Sequence, residues 1–218
     1  MLKSLSVWSF VLDTLTILAA LIVSLIRKNK ELRPVRLYIA SSLLFGVIPL
    51  LITHTEEGRI LHYELFNIAI IIDLSILYYY YQTLLYRPAL RYTLFTCYTI
   101  FAGLVLYLWL GPMHTFQKFW VTLYGIDNLF MTIPGFLYFY QIFRSDEISD
   151  FKTNPNFFVV CGIIFFYGTT FPFYISYNMM YDVTPGLYRV FVIVNNLLSA
   201  ILFITIIKAY LCPQPEQR

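Results

Sequence analysis

The chain has 218 residues, 59% of them hydrophobic and only 12% charged, with a net charge of +3 and a mean hydropathy of +0.70. A soluble domain carries about 25% charged residues, so this chain cannot cover a water-facing surface, and lipid is its expected solvent. The basic residues stand at the ends of apolar runs rather than along one stripe, which excludes the footprint of a nucleic-acid-binding protein.

About 20 apolar residues cross the hydrocarbon of a bilayer as a helix. Seven runs have that character: 5–26, 37–53, 65–85, 92–110, 119–143, 157–180 and 187–211. They are long and continuously apolar, whereas barrel strands would alternate polar with apolar. The expected fold is therefore all-α, a seven-transmembrane-helix bundle forming a single domain over residues 1–218, with no soluble domain in the short connections. The first run is too long for a signal peptide and no small-x-small site follows it, so it reads as a retained span. Pro49, Pro134 and Pro172 fall inside the second, fifth and sixth runs, where each frees a backbone carbonyl and can kink its helix.

Orientation follows from the loops. Arg27, Lys28, Lys30, Arg33, Arg36, Arg87, Arg91, Arg144, Lys152, Lys208 and Arg218 share one side. Lys3, Arg59, Lys118 and Arg189 take the other, so all 15 basic residues divide as 11 against 4. The basic side is expected in the cytoplasm, with the N-terminus outside and the C-terminus inside. Trp8, Tyr63, Tyr86, Trp120 and Tyr188 near run ends suit interfacial belts.

An ionisable group in hydrocarbon costs at least a few kcal/mol and belongs on an inward face. Asp13, Asp73 and Asp127 all lie well inside runs, about eight residues from the outer end or roughly 12 Å deep. Asn128, Asn195 and Asn196 fall at a similar depth, with Thr169 and Thr170 close to the same layer. Helical spacing puts Asp13 on a face with Thr16, Ala20 and Ser24, and Asp73 with Leu77 and Tyr80. It puts Asp127 with Met131, Pro134, Tyr138 and Gln141. Two readings compete. One is an outward-open polar pocket for a small ligand, a cation or a proton, with acids able to switch protonation. The other is a set of hydrogen bonds that only glue helices together. No intramembrane Lys or Arg is at hand to neutralise three acids, which keeps the pocket reading alive.

Other features carry less. His54, His62 and His114, with Glu56, Glu57 and Glu64, could supply imidazole and carboxylate to a metal, but their spacing matches no established ligand pattern. Cys97, Cys161 and Cys212 give neither a disulfide framework nor zinc spacing; Cys212 stands at the membrane edge as a free thiol or a lipidation site. No cofactor motif occurs. The segment Tyr78 to Tyr81 covers every face of its helix and reads as packing and interfacial anchoring. Tyr79-Tyr80-Tyr81-Gln82 is echoed by Tyr138-Phe139-Tyr140-Gln141 at the same end of the fifth run.

Helix seven lacks a central lysine for retinal, and helix three ends in Leu84-Leu85-Tyr86-Arg87-Pro88 rather than a receptor's acidic-Arg-aromatic triplet. Asn154-Pro155-Asn156-Phe157-Phe158, Tyr167-Gly168-Thr169-Thr170-Phe171, Asn195-Asn196 and Ile207-Lys208-Ala209-Tyr210-Leu211-Cys212 resemble small, uncharacterised seven-helix membrane proteins of Bacteroidetes-type bacteria. The resemblance covers mainly the last third of the chain. It implies a bacterial inner-membrane setting and no assigned chemistry. The leading functional expectation is a sensor or receptor-like component. It would bind a small ligand on the outer side and act through a cytoplasmic or membrane signalling partner. A small-solute or proton-coupled transporter is the alternative. An intramembrane enzyme ranks last, since no nucleophile–base pair or metal triad is recognisable.

Overall fold

The structure is a computed structural model. It describes residues 2–52, 56–110, 117–144, 153–183 and 185–213, with side chains described at 4–48, 65, 68–107, 124–144, 153–176, 186–187 and 189–213. Among the described residues every regular element is an α-helix. There are seven: α1 (Leu2–Ile26), α2 (Arg33–Ile52), α3 (Glu56–Leu84), α4 (Pro88–Leu110), α5 (Gln117–Phe143), α6 (Pro155–Val183) and α7 (Pro185–Leu211). Four contain stretches long and apolar enough to cross a membrane: Ser4–Ile26, Pro88–Tyr107, Pro155–Ser176 and Arg189–Leu211.

Each expected run is a helix, but most of the helices begin before the apolar stretch does. Hydropathy marks where a helix becomes greasy, not where its hydrogen bonding starts. Pro88, Pro155 and Pro185 are first helical residues, where the missing amide costs nothing because that donor has no partner in the helix. Asn154 caps α6 by accepting the Asn156 amide on its side-chain oxygen at 2.9 Å. The largest correction concerns 55–64, read from sequence as a connection; α3 already begins at Glu56, so Glu56, Glu57 and Arg59 belong to its first turn. Asp73 therefore lies past the middle of α3. In the second run, α2 continues through Pro49 to Ile52.

Helix packing closes a ring. α1 packs on α2, α2 on α3, α3 on α5, α5 on α6, α6 on α7, and α7 back on α1. α4 stands outside it and, among the described residues, packs on α3 and α5 alone. Its free surface carries Tyr92, Phe95, Ile100, Leu104 and Tyr107, and α1 exposes Leu5, Trp8, Leu12, Leu15, Leu18, Ile22 and Leu25. Such surfaces suit lipid, not water. The threonines on α4 fit the same setting: Thr93, Thr96 and Thr99 each donate to the carbonyl four residues back at 2.9–3.0 Å. Their hydroxyls thus ask nothing of the surroundings.

The sequence-derived faces are the buried ones. Ala20 and Ser24 on α1, Leu77 and Tyr80 on α3, and Met131, Tyr138 and Gln141 on α5 are all buried. In the tyrosine run, Tyr80 and Tyr81 go inside, Tyr78 is half-buried and Tyr79 faces out. The two echoed glutamines tie one corner. Gln141 accepts from the Tyr86 amide at 3.0 Å and donates to the Leu84 carbonyl at 3.1 Å. Gln82 donates to the Arg91 carbonyl at 3.0 Å. Side chains on α3 and α5 therefore satisfy the frayed carbonyl and amide ends where α3 turns into α4. At the same end Tyr210 donates to the Leu32 carbonyl at 2.8 Å and Tyr80 to the Asn156 side chain at 3.0 Å. Cys212 is buried there, its thiol directed at the Lys208 carbonyl. Burial, against the pull of the nearby Lys208 ammonium, pushes that thiol above its usual range, which favours the protonated form.

Glycines let α6 approach its neighbours. A Cβ at Gly135 would strike Ile164, one at Gly125 would meet the backbone of Ile175 at 3.0 Å, and one at Gly162 would run into Thr205 and Leu202 of α7. This is the small-residue packing by which helices associate in lipid. Gly103 on α4 has nothing within 4 Å. Gly162→Val is expected to lower stability by about 1–3 kcal/mol, while Gly103→Ala leaves it unchanged or slightly raised. Thermal unfolding of the detergent-solubilised variants measures both.

Candidate functional site

One cavity lies inside the ring, with a volume of about 170 Å³. All six ring helices line it and α4 contributes nothing. Asp13 of α1, Asp73 of α3, Asp127 of α5 and Asn195 of α7 all face it. Three acids spread over a stretch of more than a hundred residues, from 13 to 127, thus meet in one space, because each sits on the inward stripe of its own helix. Among the described residues no Lys or Arg lines the cavity.

The acids are held differently. Ser41 of α2 donates to Asp73 Oδ1 at 2.6 Å. Ser199 of α7 is the hydrogen-bonding neighbour of Asp13, yet Asp13 Oδ1 is buried with no partner. Asp127 is the deepest, 2% exposed, and its Oδ1 also lacks a partner. Asp127 senses the charge of Asp73, whereas Tyr38 lies within electrostatic reach of both Asp73 and Asp13. Tyr38 and Tyr167 share a hydrogen bond of 2.8 Å across α2 and α6, and Tyr38 stacks on Phe203 with ring centroids 6.2 Å apart. The walls are therefore largely aromatic between the carboxylates.

The remaining expected polar residues divide between the cavity and the helix contacts. Asn195 lines the cavity, and its side-chain oxygen lies 3.4 Å from the Tyr174 hydroxyl that donates to it. Asn196 points away and donates to Ser9 of α1 at 3.2 Å. Asn128 donates to Thr170 of α6 at 3.2 Å, and Thr170 in turn donates to the Phe166 carbonyl. Asn128 and Thr170 are buried, and Asn128 Oδ1 has no partner. Asn128, Asn196 and Thr170 join helices and lie off the cavity, as does half-buried Thr169. The layer read as one pocket is thus an acidic cavity flanked by polar helix contacts.

Sequence reasoning missed Ser41, Ser199, Tyr38 and Tyr167. A hydroxyl on an apolar helix is common and carries no signal until a carboxylate is placed opposite it. Tyr38 stands two residues from Arg36 and reads as an interfacial ring. His54 and His114 lie outside the described residues, and for His62 only the backbone within α3 is described. Among the described residues no three His, Cys, Asp or Glu side chains converge as ligands for one metal ion. Cys97, Cys161 and Cys212 are free.

Comparisons with known protein families, curated proteins and solved structures gave no match.

A buried acceptor with no partner costs roughly 1–3 kcal/mol. If Asp127 serves a ligand rather than the fold, Asp127→Asn is expected to raise Tm by about 2–4 °C, the shift that 1 kcal/mol gives at this chain length. A fall in Tm of that size would mean that the acid holds the helices together. Differential scanning fluorimetry in detergent without added ligand makes the comparison.

Proposed function

We propose that this is a multi-pass membrane protein that binds a small ligand in the acidic cavity and passes the signal to a partner at its basic end. The observation that carries this reading is the shared cavity of Asp13, Asp73 and Asp127. Interhelical glue would leave no buried carboxylate oxygen bare, yet one oxygen of Asp13 and one of Asp127 have no partner. Buried polar groups without partners in a cavity are the mark of a site awaiting one.

In this proposal all seven helices cross the bilayer. α2, α3 and α5 have 20, 29 and 27 residues, enough at 1.5 Å each for roughly 30 Å of hydrocarbon. They stand consecutively in the ring between α1 and α6, both of which are apolar enough to cross. The division of Lys and Arg favours the N-terminus outside and the C-terminus in the cytoplasm. A bacterial inner membrane agrees with the resemblance of the last third of the chain. The signalling role rests on a cavity walled by helices whose opposite ends gather Glu31, Arg33, Tyr86, Gln141 and Asn154 around a larger cleft of about 520 Å³. A ligand that draws the acids together can thereby shift the shape of that cleft.

A second reading, a small-solute or proton-coupled transporter, draws support from Pro134 and Pro172 inside α5 and α6. Each removes the amide that would bond the carbonyl four residues before it, in the helices that carry Asp127 and Tyr167. Liposome flux separates the two. A sensor is expected to move neither protons nor solute, while tags at the two termini report opposite sides of the membrane. Flux that Asp73→Asn and Asp127→Asn abolish in folded protein would favour the transporter. Termini on the same side would overturn the seven-span arrangement.

A further inference from the structure

The two unpartnered carboxylate oxygens say more about the ligand than its charge. We infer that the cavity takes a short linear diamine, one ammonium at Asp13 and the other at Asp127 and Asp73. This rests on the acidic cavity being a ligand site, the reading proposed above.

Asp13 Oδ1 and Asp127 Oδ1 are both buried and both without a hydrogen-bond donor, and both residues line the same space. They stand on α1 and α5, between which no helix contact is found among the described residues. Among the described residues the acids do not converge closely enough to ligate one metal ion. α3, which carries Asp73, packs on α5, and among the described residues α1 packs on neither. The unpartnered oxygens of Asp13 and Asp127 therefore stand on separate walls of a space that Tyr38 also lines.

A cation that fits must span that split. An ammonium has three donors and no acceptor, which suits carboxylates at both ends. Ser199 adds an acceptor oxygen beside Asp13, and Asn195 lines the same space. The methylene chain between the charges would lie against Tyr38, Ile70 and Phe203, apolar or aromatic surfaces of the wall. Aromatic faces also attract the ammonium ends themselves. Size sets the length. A cavity of about 150 Å³ accommodates benzene, so one of about 170 Å³ suits a ligand of about six non-hydrogen atoms, the number in a four-carbon diamine.

Isothermal titration of the full chain in lipid nanodiscs tests this, with 1,4-diaminobutane, n-butylamine and 1,4-butanediol as probes. The diamine is expected to bind at least tenfold more tightly than the monoamine, and the diol not at all. Asp13→Asn and Asp127→Asn are each expected to weaken the diamine at least tenfold, while Gly103→Ala on α4 leaves it unchanged. Equal affinity for diamine and monoamine would overturn the two-ended ligand and leave the cationic cavity standing. Absence of binding by either amine to the wild-type chain would overturn both. The unsubstituted protein decides between these outcomes, so the proposal stays open to refutation even if a variant fails to fold.

Discussion

A carboxylate cannot be left against hydrocarbon, and a chain this apolar has little water-facing surface on which to hide one. That constraint organises the molecule. Asp13, Asp73 and Asp127 lie mid-helix, so their helices turn those stripes toward each other, and the helices between them complete the wall. α4, with no acid in its described stretch, is the helix left outside. Its exposed threonines bond back to their own backbone, and its rings face outward. The polar interior and the apolar exterior are two consequences of one cost.

Many of the contacts that hold the ring do not involve the acids. Gly125, Gly135 and Gly162 bring α6 close to α5 and α7. Asn196 reaches Ser9, and Asn128 reaches Thr170, to join neighbours by hydrogen bonds. Gln141 and Gln82 lock the corner between α3 and α4. A fold secured elsewhere can tolerate unsatisfied oxygens at its centre, which is where stability is commonly given up for function. Asp73 has its Oδ1 held by Ser41, whereas Asp127 keeps its Oδ1 without a partner.

Much of this was legible in the sequence, for physical reasons that also set the limit. A run of 20 apolar residues has few alternatives to a helix, so all seven helices could be read. Their first turns could not, because Glu56, Glu57 and Arg59 are polar yet helical in α3. The inward stripes could be read from spacing, since Asp127, Met131, Tyr138 and Gln141 recur at helical intervals and are buried together. Which of Asn128, Asn195 and Asn196 faces the cavity could not. Neighbouring positions differ by about 100° on a helix, and ring closure decides among them. Ser41 and Tyr38 stayed invisible until α2 was placed beside α3 and α6.

The central claim is that the three acids share one accessible, negatively charged space. It is tested most directly by placing cysteine singly at positions 13, 73 and 127 in a chain whose three native cysteines are replaced by serine or alanine. Each is then reacted with small cationic and anionic thiosulfonates. The account predicts labelling at all three positions, faster with the cationic reagent because the two remaining acids attract it. Three positions that stay unlabelled while a surface cysteine reacts, or that react without regard to charge, would contradict it.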